Sequence, residues 1–162
     1  MISEVSGDIL LSKAQVIAHG IAPNDPFKQG LALQLRENWP AMYKDFRHFC
    51  QSKHPKPGTA WSWMGADGKL ICNLFTQDAA YHPGEKPGRA TLQHVGHALK
   101  ELRHQIDKEG FTSIALPRIA TGVGGLQWDD VKPLISQNLG NLAIPVIVYT
   151  TFHAGQVAHE GL

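Results

Sequence analysis

LPRIATGVGGLQW, residues 116–128, decides the fold. An apolar run predicted as a strand over 111–116 ends at Pro117, and Gly122, Gly124 and Gly125 follow within four positions of one another. Residues 127–139 then place apolar side chains at helical spacing. A strand, a glycine-rich turn and a helix make a recipe for holding phosphate. Bare backbone lets an anion approach, its N–H groups converge, and the helix adds its positive end. The competing account is a turn that only needs positive φ, and three glycines between a strand and a helix favour the anion site. The pattern is not GxGxxG and no GK[ST] follows, so neither the dinucleotide fingerprint nor the P-loop is indicated. Asp129 and Asp130 suit the first turn of the helix and are expected to face solvent.

Working outward, short strands are predicted at 1–5 and 16–21 (VIAHGI), separated by a turn at Ser6-Gly7-Asp8. The loop PNDPFKQG leads to a helix over 30–38, which Pro40 stops, and a second helix follows over 41–51. TAWSWM and KLICNLFT flank Asp67-Gly68 and read as a hairpin. The longest helix is expected over 89–108, with Leu92, Val95, Leu99, Leu102 and Ile106 as its stripe and Gly110 ending it. A last strand covers 144–149. Strands alternating with helices predict a three-layer α/β sheet, parallel at its centre and mixed because of the hairpin.

The chain has 162 residues, 43% hydrophobic and 18% charged, with a formal net charge of +1. One domain over 1–152 is expected, with 153–162 as a loose tail. The charge balance argues against general nucleic-acid or membrane-surface binding. No transmembrane run or secretory signal stands out, and Cys50 and Cys72 sit in apolar contexts as free thiols, so a cytoplasmic monomer is expected. Metal spacings such as CxxC and HExxH are absent, and His94, His97 and His104 fall on the polar side of the long helix, so neither metal nor cofactor is expected.

In open α/β sheets, ligands meet the carboxyl ends of strands. Asp8 has the chemistry to accept a hydrogen bond from an exocyclic amine, and equally to cap a turn. Phe152 suits stacking on a base or ordinary packing. His19, inside an apolar strand, reads first as a core histidine.

Together GDIL, AHGIAPNDPFKQGLA, ICNLFT and LPRIATGVGGLQWDDV resemble the macrodomain family of ADP-ribose binders, in order and over nearly the whole chain. The likeness is to the branch holding the terminal ADP-ribose protein glycohydrolases and the DNA ADP-ribosyl glycohydrolase antitoxins. The ADP-ribose 1''-phosphate phosphatases are similar through Ala18-His19, residues 72–76 and Gly84-Glu85-Lys86. The resemblance implies a three-layer α/β/α macrodomain with a mixed, centrally parallel sheet. It implies that Asp8 contacts adenine N6 with the Ile9 N–H nearby, and that Thr121, Gly122, Val123, Gly124, Gly125 and Leu126 wrap the diphosphate. Phe152 would pack on adenine or its ribose, Gln29, Gly30 and Leu31 would lie along the distal ribose, and His19 would sit beneath them.

There are also departures. HGIAPN replaces the NAAN-like stretch of common hydrolases, with Asn24 shifted from the asparagine position. The lysine and the aspartate of the protein glycohydrolase branch fall on Gln77 and Gly124, and its serine on Ala22. Lys86 is the one candidate to replace that lysine. Phe27-Lys28-Gln29-Gly30 stands where many first loops carry GGG, implying a bulkier, more basic lip.

Three functions follow. The first is hydrolysis of an ADP-ribose derivative, an ADP-ribosyl linkage on protein or nucleic acid or a 1''-phosphate. There His19 and Asp25 carry the chemistry and Asn24 orients water. The second is an ADP-ribose reader without turnover. The third is a domain binding another phosphorylated nucleotide. The partner implied is ADP-ribose or an ADP-ribosylated macromolecule.

Overall fold

The computed structural model describes residues 1–79, 81 and 88–162. Six strands form one sheet in the order β1 (Ile2–Gly7), β6 (Val146–Phe152), β5 (Ile114–Pro117), β2 (Val16–Ile21), β4 (Leu70–Phe75), β3 (Ala60–Met64). Every neighbouring pair is parallel except the β3–β4 hairpin. The sheet is thus mixed and parallel at its centre, as expected.

Side chains alternate across it with the period of two that a pleated strand imposes. Val16 and Ala18 of β2, Leu70, Cys72 and Leu74 of β4, and Val146 and Val148 of β6 face one layer. That layer is covered by α3 (Leu92–Glu109) and α4 (Trp128–Leu139) through Val95, Leu99, Leu102, Val131 and Ile135. The other face carries Ile17, Ile71, Phe75 and Ile147. It packs on α1 (Gly30–Asn38) and α2 (Pro40–Lys53) through Leu35, Met42 and Phe46. Cys50 and Cys72 are free, buried and on opposite faces of the sheet, which separates them.

Some boundaries differ from expectation for local reasons. The long helix starts at Leu92 rather than residue 89, because the Thr91 side chain accepts the His94 N–H and caps it. Pro40 ends α1 and also opens α2, where its missing N–H costs nothing.

Four residues of the segment 153–162 hydrogen-bond to the domain body: His153, Gly155, Gln156 and Glu160. The His153 N–H donates to the Gly7 carbonyl, the Asp8 N–H donates to the Gln156 carbonyl at 2.7 Å, and Glu160 meets three donors of the domain body. No helix among the described residues is long and apolar enough to cross a membrane.

Candidate functional site

The glycine loop follows the carboxyl end of β5, a central strand that runs parallel between β6 and β2. Thr121 Oγ1 donates to the Arg118 carbonyl, the Gly125 N–H to the Gly122 carbonyl, and the Leu126 N–H to the Ala120 carbonyl at 3.0 Å. Ala120 takes φ 63°, a left-handed conformation uncommon for a residue with a Cβ. These bonds turn the chain so that residues 121–124 line a cavity. None of the described residues accepts a hydrogen bond from the N–H groups of those four. Unpaired N–H groups on one concave turn are the geometry that holds an anion.

Two cavities, of about 500 and about 400 Å³, share Gly30, Leu31, Pro117, Tyr149 and Phe152 and so form one trough across the strand ends. One end is apolar, walled by Gly7, Ile9 and Leu33. The other runs between the glycine loop and Gln29, with His19, Asp25 and Gln77 among its walls. Apolar walls at one end, Tyr149 and Phe152 at the junction and the glycine-loop backbone at the other end suit an amphipathic ligand with an anionic middle.

A family model described as Macro domain matches residues 27–135. The chain belongs to the macro domain family. It is 26% identical to a DNA ADP-ribosyl transferase–DNA ADP-ribosyl glycohydrolase fusion protein of Thermosipho africanus, over 91% of this chain and 41% of the relative. It is 27% identical to the DNA ADP-ribosyl glycohydrolase of Thermus aquaticus, over 92% of this chain and again 41% of the relative. The chain therefore spans about two-fifths of the length of these two proteins. Human ADP-ribose glycohydrolase OARD1 is 26% identical, over 92% of this chain and 91% of that protein. Among solved structures, the macrodomain of Thermus aquaticus DarG superposes with a TM-score of 0.81 at 26% identity, covering 93% of this chain and 98% of that one.

Within this macrodomain, the residues singled out in the sequence separate. Asp8 caps a single 3-10 turn, Ile9–Leu11: one carboxylate oxygen accepts the Leu10 N–H at 3.0 Å and the other the Gly155 N–H at 2.9 Å. It lies between two cavity-lining residues, Gly7 and Ile9. Among the described residues, none accepts a hydrogen bond from the Ile9 N–H. Gln29, Gly30, Leu31 and Phe152 line the trough.

Asp25 also lines it, and one of its oxygens accepts the Phe27 N–H at 2.8 Å. Burial raises its carboxyl above the ordinary carboxylate range, against the opposing pull of that bond. The backbone of Asn24 lies against Cys50, its N–H directed to the thiol sulfur, and Asn24 is not among the cavity walls. Lys86 lies outside the described residues. The expected bulky lip does not form: Phe27 is fully buried, packed against Tyr43, Phe46 and the edge of His19. Its left-handed φ of 54° turns the ring inward and leaves Lys28 outside.

Of the two departures from the glycohydrolase pattern, the one at Gly124 has a steric basis. Gln77 is buried and donates to the Gly88 carbonyl, while the Ala90 N–H donates to the Gly124 carbonyl. The segment after β4 is thereby tied to the glycine loop. A Cβ at Gly124 would lie 2.6 Å from the Ala120 oxygen and 2.9 Å from the Ala90 Cβ. No acidic side chain fits this turn.

His19 is 2% exposed and pairs in register with Asn73, its Nε2 2.7 Å from the Asn73 Oδ1. Burial pulls its pKa from 6.5 down to about 4, only partly offset by the Asn73 bond. The ring is therefore neutral near pH 7, a poor general acid and a fixed hydrogen-bonding group.

This has a consequence for stability. The unfolded chain takes up a proton at His19 near pH 6.5 and the folded chain only near pH 4, so stability falls as pH drops through that window. Urea unfolding at pH 7 and pH 4 should show a larger loss in the wild type than in His19→Gln, by on the order of 3 kcal/mol. Equal losses would mean that His19 is not buried and neutral.

Sequence reasoning missed Tyr149, Pro117 and Arg118. Pro117 ends β5 and Arg118 follows it, while Tyr149 pairs with Pro117 from within β6, and all three line the trough. The strand-end rule applied to β5 would have found Pro117 and Arg118.

Proposed function

We propose that this macrodomain binds ADP-ribose along the trough and hydrolyses an ADP-ribosyl linkage on protein or nucleic acid, or a 1''-phosphate. The observation that carries the binding half is the set of unpaired N–H groups over 121–124 next to an apolar slot. Adenine occupies the slot against Phe152. Asp8 keeps lone pairs for the exocyclic amine, and the free Ile9 N–H faces a ring nitrogen. The diphosphate lies on 121–126, and the distal ribose on Gln29, Gly30 and Leu31.

Hydrolysis needs a water attacking the anomeric carbon as the bond to the leaving group breaks. Among the described residues, Asp25 is the carboxyl at that end of the trough. It takes the water proton, with neutral His19 holding the local geometry and Asn24 in the same turn. The names of the three relatives, all glycohydrolases, support this half. A reader without turnover is the second reading, favoured by Gln77 and Gly124 standing where the branch keeps its lysine and aspartate. We take the chain to act as a monomer in the cytoplasm. The trough walls are residues of one chain, and its two buried free thiols suit a reducing compartment.

Calorimetry with ADP-ribose, AMP and NAD tests the binding half, and ADP-ribose should bind most tightly. Incubation with ADP-ribosylated protein, ADP-ribosylated DNA and ADP-ribose 1''-phosphate tests turnover. Absence of heat with ADP-ribose would refute both readings, and survival of all three substrates would leave the reader.

A further inference from the structure

The segment after β6 makes contacts concentrated on one end of the trough. Gly155 donates its N–H to the Asp8 carboxylate, and Gln156 accepts the Asp8 N–H. The segment packs so closely on Gly7 that a Cβ there would lie 2.9 Å from the Ala158 Cβ and from the Gln156 oxygen. Its anchor is Glu160. One carboxylate oxygen accepts the hydroxyls of Ser12 and Tyr149, the latter at 2.8 Å, and the other accepts the Lys13 N–H at 2.8 Å. Lys69 completes the brace, donating its ammonium to the carbonyls of Ser12 and Ala14. Tyr149 lines both parts of the trough, and Gly7 and Ile9 line the apolar part. Glu160 therefore touches no cavity yet holds the residues on both sides of the slot.

We propose that Glu160 is a positioning residue for base recognition: it anchors 153–160, whose Gly155 N–H orients the Asp8 carboxylate, so that the slot selects a purine with a 6-amino group over a 6-oxo purine. The inference rests on the reading that the slot takes the adenine of ADP-ribose. A 6-amino group donates to a carboxylate, whereas a 6-oxo group turns an acceptor against it, and the purine N1–H that accompanies it opposes the Ile9 N–H. That discrimination requires a carboxylate that cannot swing away. Asp8 is held on both oxygens, one bond coming from its own turn and the other from the segment that Glu160 anchors.

The test is calorimetry on the full chain with ADP-ribose and its hypoxanthine counterpart. The wild type should prefer ADP-ribose by about tenfold or more, the scale of one hydrogen bond to a charged group. Glu160→Ala should lower that ratio to about twofold, and Glu160→Gln, whose amide oxygen still accepts, should recover part of it. The ratio is the readout, because a general loss of order weakens both ligands alike. If Glu160→Ala does not fold, Ser12→Ala removes one of the anchor's donors and should give an intermediate ratio. An unchanged or increased ratio in the variants overturns the proposal. A wild type that binds both ligands equally also overturns it and leaves the ADP-ribose reading standing. A wild type that binds neither overturns both.

Discussion

Gly122→Glu should lose about a hundredfold or more in affinity for ADP-ribose while the domain stays folded. A Cβ at Gly122 meets nothing within 4 Å, and the residue is exposed at the cavity wall, so a side chain enters without steric cost. The carboxylate then stands beside the diphosphate. Two unit charges about 4 Å apart repel by about 4 kcal/mol at a near-surface effective dielectric, and partial screening leaves about 3 kcal/mol, or a hundredfold. Gly122→Ala is the matched control and should stay within about threefold, since its methyl group meets open space. Calorimetry with circular dichroism separates charge from misfolding. Retained affinity in Gly122→Glu would mean that the diphosphate lies elsewhere. Gly124→Glu is a poor version of this experiment, because its Cβ collides with the Ala120 carbonyl before any charge reaches the cavity.

Asp25→Asn should lower turnover by about 10²- to 10³-fold, the usual contribution of a positioned acid–base group, with ADP-ribose affinity within about threefold. The asparagine oxygen can still accept the Phe27 N–H, so the turn is kept and only proton transfer is removed. Burial raises the Asp25 carboxyl, so the acid limb of the wild-type rate profile should lie above the ordinary carboxylate range. Activity should rise as pH climbs through that limb, and Asp25→Asn should flatten it. A variant with full turnover would remove Asp25 from the reaction.

The fold was legible because its signals were local and repeated. VIAHGI, KLICNLFT and IPVIVY are short apolar runs bounded by turn residues, and the stripe from Val95 to Ile106 has one period throughout. The glycine loop was legible for the same reason: strand, glycines and helix are consecutive in the chain. The polar end of the trough was harder to read, because it depends on where side chains turn. Phe27 looks like surface bulk in a PNDPFKQG loop, and only its left-handed backbone sends the ring into the core. His19 and Asn73 are 54 residues apart, and their pairing appears only once β2 and β4 are in register. The tail reads as polar and glycine-containing, yet Glu160 finds its partners across 148 residues, at Ser12. Contacts of that range leave no periodic trace in a single sequence.

The tightness of the turn at Gly124 also bears on what this cleft can become. Any substitution there meets the Ala120 oxygen and the Ala90 methyl group before it gains a functional group. A lysine restored at Gln77 would therefore wait for a carboxylate partner that no one-step mutation can deliver. In a selection experiment, the glycine-loop bank of the cleft is a closed route. Catalytic novelty has to arrive from the facing bank at 25–29, where Lys28 and Gln29 are exposed and side chains can be exchanged one at a time.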